Sequence, residues 1–112
     1  MKLQDKIALV TGSDSGIGRA IATTFAREGA SVAVHYHADE RGGEQTANAI
    51  RQHGVRAELF QADLADPSGA QSLFEQVIAA FGQVDILVNN AGKGASAPSS
   101  LDLSLSDFLE VL

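Results

Sequence analysis

Apolar residues in this chain gather into short runs, separated by stretches where they recur at helical spacing. Ile7-Ala8-Leu9-Val10, Val32-Ala33-Val34 and Ile86-Leu87-Val88 are apolar at every position, and residues 57–62 form a more mixed run. Runs without alternation suit strands covered on both faces. After the first run, Ile17, Ala20, Ile21, Thr24 and Phe25 recur at the spacing of a helix face. A weaker helix is predicted over 41–53, with Ala47 and Ile50 inward. Asp66-Pro67 supplies an N-cap and a first-turn proline for a third helix, whose Ala70, Leu73, Phe74, Val77, Ile78 and Phe81 predict a wide buried face. Gly29, Gly54 and Gly82 stand where these helices stop. Residues 93–100 read as a small-residue loop. Ser104 with Asp107 forms a capping box for a last helix carrying Leu105, Phe108, Leu109 and Leu112. Strands alternating with helices predict an α/β domain with right-handed crossovers.

The first strand leads directly into Thr11-Gly12-Ser13-Asp14-Ser15-Gly16-Ile17-Gly18, which opens the first helix. A strand, a glycine turn and a helix N-terminus together make a cradle for the phosphates of a dinucleotide. Gly12 and Gly16 suit a tight turn and a close approach of pyrophosphate to the main chain. Gly18 would let the helix pack closely on the strand. The unpaired N–H groups and the positive end of the helix dipole then face the anion, and no dedicated lysine is required.

Composition narrows the partners. The 112 residues allow one domain, and the 45% of hydrophobic residues fit a buried sheet. A net charge of -6 without a lysine or arginine cluster argues against nucleic acid or an anionic membrane surface. There is no cysteine, hence no disulfide framework. Residues 1–5 do not resemble a signal peptide, and no apolar run approaches the ~20 residues needed to cross a bilayer. A cytoplasmic protein is the expectation.

The spacing Gly-x-x-x-Gly-x-Gly, with Asp63-Leu64 after the third strand and Asn89-Asn90-Ala91-Gly92 after the fourth, resembles the short-chain dehydrogenase/reductase family in its classical type. The resemblance runs the whole length of the chain and covers the family's amino-terminal half. It implies a Rossmann-type three-layer sandwich whose parallel sheet, in the order 3-2-1-4, is incomplete. Residues 1–112 would then be a partial NAD(P)-binding domain, truncated before the catalytic segment. The fourth strand would be an apolar edge prone to association, and a complete version is expected to be a homo-oligomer.

The resemblance also assigns cofactor contacts. Gly12, Ser13, Asp14, Ser15, Gly16, Ile17 and Gly18 would form the phosphate cradle. Asp63 would accept a hydrogen bond from the adenine amino group, with the backbone of Leu64 touching the base, and Asn90, Ala91 and Gly92 would line the cofactor cleft. Asn89 has a structural role as an equal alternative. At the end of the second strand, an acid where Tyr36 stands would hold both ribose hydroxyls of NAD. Tyr36 is not an acid, while His37 and Arg41 could approach the 2′-phosphate of NADP, so NADP is favoured over NAD. Asp39 and Glu40 oppose this by repulsion. His35 and His37 project to one side of an extended segment but lack a third ligand, so no metal site is expected.

Complete members of the family use a tyrosine as acid/base, with a lysine four residues on that lowers its pKa, a serine on the substrate oxygen and a relay asparagine. The only tyrosine here is Tyr36, and Glu40 follows it by four. Ser96, Ser99 and Ser100 lie near no identifiable base, so no catalytic residue is assigned. Two readings remain. The chain is the cofactor-binding half of an NAD(P)-dependent oxidoreductase acting on a small alcohol or carbonyl substrate, inactive by itself. Alternatively, it is a non-catalytic nucleotide-binding or subunit-association module.

Overall fold

A computed structural model describes residues 2–90. The last helix, the loop over 93–100 and the assigned contacts Ala91 and Gly92 lie outside the described residues. Seven elements alternate: β1 (Ile7–Val10), α1 (Gly16–Arg27), β2 (Ser31–Tyr36), α2 (Glu40–Arg51), β3 (Ala57–Gln61), α3 (Pro67–Phe81) and β4 (Ile86–Val88). The strands are parallel, in the order β3-β2-β1-β4. With α1 and α2 on one face and α3 on the other, this is the expected Rossmann-type fold.

The alternation of Cβ direction along each strand separates two cores. Ala8 and Val10 of β1, with Val32 and Val34 of β2, pack against Ile21, Phe25, Ala47 and Ile50 of α1 and α2. Leu9 and Ala33 point to the other face and meet Phe60, Leu73 and Val77. Capping fixes where α2 and α3 begin. Asp39 accepts from Gly42 N–H at 2.9 Å, and Asp66 accepts from Ser68 N–H at 3.0 Å with Pro67 in the first turn. Gly29, Gly54 and Gly82 have the expected left-handed backbone.

Three details differ from the sequence reading. β2 continues through His35 and Tyr36, because its ladder with β3 pairs His35 with Phe60 and Tyr36 with Gln61. The inward face of α1 is Gly18, Ile21, Ala22, Phe25 and Ala26, and Ile17 and Ala20 are exposed. α3 buries only Leu73 and Val77, while Phe74 and Ile78 are exposed. Among the described residues its sheet contact lies mainly on β3, which is too narrow to cover a face as wide as the sequence offers.

Gly18 sets the approach of α1 to the sheet. A Cβ there would overlap the carbonyl oxygen of Gly12 and come within 2.6 Å of Asn90 Nδ2. The first obstacle is main chain and cannot rotate aside. Gly18→Ala should therefore destabilise the fold by about 1–3 kcal/mol, the usual cost of overpacking, although alanine is the better helix former. Urea unfolding of the two proteins measures this.

Candidate functional site

β1 ends in a turn whose backbone only glycine adopts readily: Gly12 has φ 62° and Gly16 φ 57°. Around the turn lies a cleft of about 830 Å³ at the carboxyl ends of the strands. Its lining includes Gly12, Asp14, Ser15, Gly16 and Ile17 from the turn, His37, Ala38 and Asp39 after β2, Asp63, Leu64 and Ala65 after β3, and Asn89 and Asn90 after β4. This is the crevice where open parallel sheets take ligands.

The start of α1 differs from the other two helix starts. Ser15, its N-cap residue, makes no side-chain capping hydrogen bond, whereas Asp39 and Asp66 cap theirs. A Cβ built on Gly16 meets nothing within 4 Å. Backbone donors with no side-chain cap, beside open space in a cleft, suit a pyrophosphate in both charge and shape.

The turn is held from several sides by side chains that the glycine spacing does not reveal. Ser13 is fully buried; its hydroxyl donates to the Val10 carbonyl at 2.7 Å and accepts from His35 N–H at 3.2 Å. Thr46 of α2, also fully buried, donates to the Ser13 carbonyl at 2.7 Å and accepts from Arg19 Nε at 2.8 Å. Arg19 Nη2 donates to the carbonyls of Asp14 (2.6 Å) and Gly42 (3.1 Å), so one guanidinium joins the turn to α2. On the β4 side, Thr11 Oγ1 accepts from Asn90 N–H at 2.8 Å, and Asn90 Nδ2 donates to the Gly12 carbonyl at 3.3 Å. The signal for Thr46 was available in the sequence: it precedes Ile50 by four residues and shares its inward face, where a hydroxyl must find a partner.

His35 is buried in the same frame. Its Nδ1 accepts from Gly12 N–H at 2.9 Å, and its Nε2 lies 2.9 Å from the Ala62 carbonyl, so the ring is neutral with its proton on Nε2. Burial pushes its pKa below the ordinary value; the Ala62 carbonyl and Asp14 pull upward, and His37 downward. Both nitrogens are therefore engaged by backbone, which gives His35 a structural role in place of metal ligation.

The other sequence-assigned residues divide between the cleft and its support. Asp14, Ser15, Gly16, Ile17, His37, Asp63, Leu64 and Asn90 line the cleft together with Gly12. Ser13 and Gly18 sit beneath it, buried. The Tyr36 ring packs over Gly43 of α2, and neither Tyr36 nor Arg41 is among the lining residues. Asp63 Oδ1 accepts from Ala65 N–H at 3.0 Å, while its Oδ2 lies 3.9 Å from His37 Nε2, both side chains being more than half exposed. Among the lining residues the ionisable ones are Asp14, Asp39 and Asp63 with His35 and His37. Among the described residues, no helix is long and apolar enough to cross a membrane.

A parallel sheet with a glycine turn at the carboxyl end of its first strand is the architecture that dinucleotide-binding α/β domains share. The family model described as short chain dehydrogenase matches residues 6–112, and the chain belongs to that family. It is 41% identical over 107 residues to the uncharacterized oxidoreductase YohF of Escherichia coli, covering 95% of this chain and 42% of that one. A dehydrogenase from Burkholderia cenocepacia solved with bound NADP matches with a TM-score of 0.78 and 39% identity, over 81% of this chain and 36% of that one. An NAD+-bound xylitol dehydrogenase matches with a TM-score of 0.79 and 31% identity, over 83% and 35%. The chain thus spans about two-fifths of the length of these relatives.

Thr46→Val keeps the side-chain shape and removes the hydroxyl that joins Ser13 to Arg19. Leaving the buried Ser13 carbonyl without that donor should lower stability by about 1–3 kcal/mol. Arg19→Ala in the Thr46→Val background should add less than it does alone, because the two act on one network. A double-mutant cycle by thermal or urea unfolding reads both.

Proposed function

We propose that this chain is the cofactor-binding portion of an NAD(P)-dependent oxidoreductase that interconverts an alcohol and a carbonyl in a small-molecule substrate. The observation that carries the proposal is the α1 start: an uncapped helix N-terminus and a Gly16 with open space above it, at the mouth of the cleft. When bound, the nicotinamide dinucleotide supplies hydride transfer chemistry. The chain's residues would hold it by its phosphates, ribose and adenine. The amides at the start of α1, residues 16–18, would donate to the pyrophosphate, with Gly12 and Ser13 shaping the turn beneath it. Asp63 and Leu64 would meet the adenine, and Asn90, Ala91 and Gly92 would border the ribose and nicotinamide side. Asn90 would do this while its own amide stays tied to Thr11, so its position is set before ligand arrives.

NADP is the favoured cofactor on this reading. No carboxylate stands at the last residue of β2, and His37, which lines the cleft, is exposed enough to meet a 2′-phosphate. Asp39 opposes an anion there, but its carboxylate also caps α2 through Gly42 N–H. Acid/base catalysis belongs to residues other than those described, since the sole tyrosine packs on Gly43 and has no lysine four residues on.

Calorimetric titration with NADP and NAD tests the reading. The expected result is saturable binding, tighter for NADP, with Gly16→Val losing at least about tenfold in affinity through strain at positive φ and loss of the open space. His37→Ala should weaken NADP by several-fold and leave NAD nearly unchanged. Absence of binding by either nucleotide, or a Gly16→Val protein that binds normally, contradicts the proposal.

A further inference from the structure

We propose that His35 is a positioning residue for the dinucleotide cradle, acting as a neutral imidazole that joins the glycine turn after β1 to the loop after β3. The inference deepens the cofactor-binding reading above and rests on it. Its ground is a pair of contacts made by one buried ring. Nδ1 accepts from Gly12 N–H at 2.9 Å, and Nε2 donates to the Ala62 carbonyl at 2.9 Å. Gly12 opens the phosphate turn, and Ala62 immediately precedes Asp63 and Leu64. The ring therefore spans from the pyrophosphate end of the cleft to its adenine end, and fixes the distance between two segments that must hold one ligand.

The backbone of the same residue reinforces the link. His35 N–H donates to Ser13 Oγ, and its carbonyl accepts from Ser13 N–H at 3.1 Å. The ring contact also directs the turn: with its N–H committed to His35, Gly12 turns its carbonyl to Asn90 Nδ2 and packs it under Gly18. Removing the ring acceptor would leave the Gly12 amide to find another partner in a turn that has no slack.

Only one protonation state does this. A protonated imidazole has two N–H donors and no acceptor, so its Nδ1–H would point at Gly12 N–H. The charged and titratable groups that bear on the ring are Asp14 from the turn and His37 two residues on along the strand end. Asp63 beyond β3 lies 3.9 Å from His37. The strand positions beside it, Val34 on its own strand and Phe60 on β3, are apolar. Burial depresses the His35 pKa, and the Ala62 carbonyl and then Asp14 offset it in part. The folded state resists protonation, so its stabilisation is present above the ordinary histidine value of about 6.5 and is lost as pH falls through the lowered value. Cradle geometry and nucleotide affinity should be lost as pH falls through that lowered value.

The test uses NAD+, which carries no 2′-phosphate to titrate or to meet His37, and the full chain in a His37→Gln background. Affinity is expected to stay level from about pH 8 down to the ordinary histidine value of about 6.5 and to fall only below it, approaching tenfold per pH unit once His35 protonates. His35→Asn, which keeps an acceptor near the Nδ1 position but does not titrate, should restore most of the affinity and abolish the pH dependence. His35→Leu should bind about tenfold more weakly at every pH. Should either variant fail to fold, nitrogen NMR of the unsubstituted protein decides the matter: the Nε2–H tautomer with scalar coupling between Gly12 N and His35 Nδ1 supports the proposal, and its loss must track the fall in affinity. A pH-independent affinity, the opposite tautomer, or full affinity in folded His35→Leu overturns it. Failure of NAD+ to bind at any pH, with tautomer and coupling as expected, instead overturns the cofactor reading and the cradle role that rests on it.

Discussion

The contact of Gly18 with the carbonyl of Gly12 sets how closely α1 approaches the end of β1, and the cleft depends on that distance. With any side chain at residue 18 the helix would stand off the sheet, and its first turn would no longer lie against the glycine loop. The close approach brings Asn90 Nδ2 onto the same Gly12 carbonyl, so one main-chain oxygen marks the junction of β1, α1 and the end of β4. A short turn has few backbone groups, and nearly every one described here is assigned to a structural partner or directed at the cleft.

This division of labour explains why so many buried polar groups cluster under a small loop. Ser13, Thr46 and His35 are nearly or fully excluded from water, and each completes hydrogen bonds to the turn or its neighbours. Buried donors and acceptors without partners are costly, so a fully connected set fixes a single geometry. Arg19 extends the set to α2, whose buried residues are Gly42, Gly43, Thr46, Ala47 and Ile50. The amides at the α1 start remain outside the network, oriented by it and without a side-chain cap from Ser15.

Much of this fold is legible in the sequence because strand and helix periods are strong signals. The apolar runs located all four strands, and Asp66-Pro67 and Gly82 marked both ends of α3. The order β3-β2-β1-β4 followed from the family resemblance together with crossover handedness. The errors have one source: periodicity reports which residues are apolar, but burial also depends on what lies opposite. Ile17 sits on a helix face that opens onto the cleft, and Phe74 and Ile78 stay exposed on α3, where only Leu73 and Val77 are buried. His35 ended up inside a strand because tertiary partners outweigh local polarity. The site was readable where backbone chemistry dictates residue type, as at Gly12 and Gly16. It was unreadable at Arg19, whose role depends on α1 and α2 lying side by side, and only the inward direction of Thr46, not its partners Ser13 and Arg19, is carried by spacing along one helix.

We propose that the cradle is built before ligand arrives and binds it through main-chain amides. Backbone amide NMR of the protein titrated with NADP tests this most directly. The account predicts shifts concentrated at residues 12–18, 37–39, 63–65 and 89–90, with amides of the β1, β2 and β3 ladders unmoved. Shifts absent from residues 12–18, or spread through the sheet as on a global rearrangement, would contradict it.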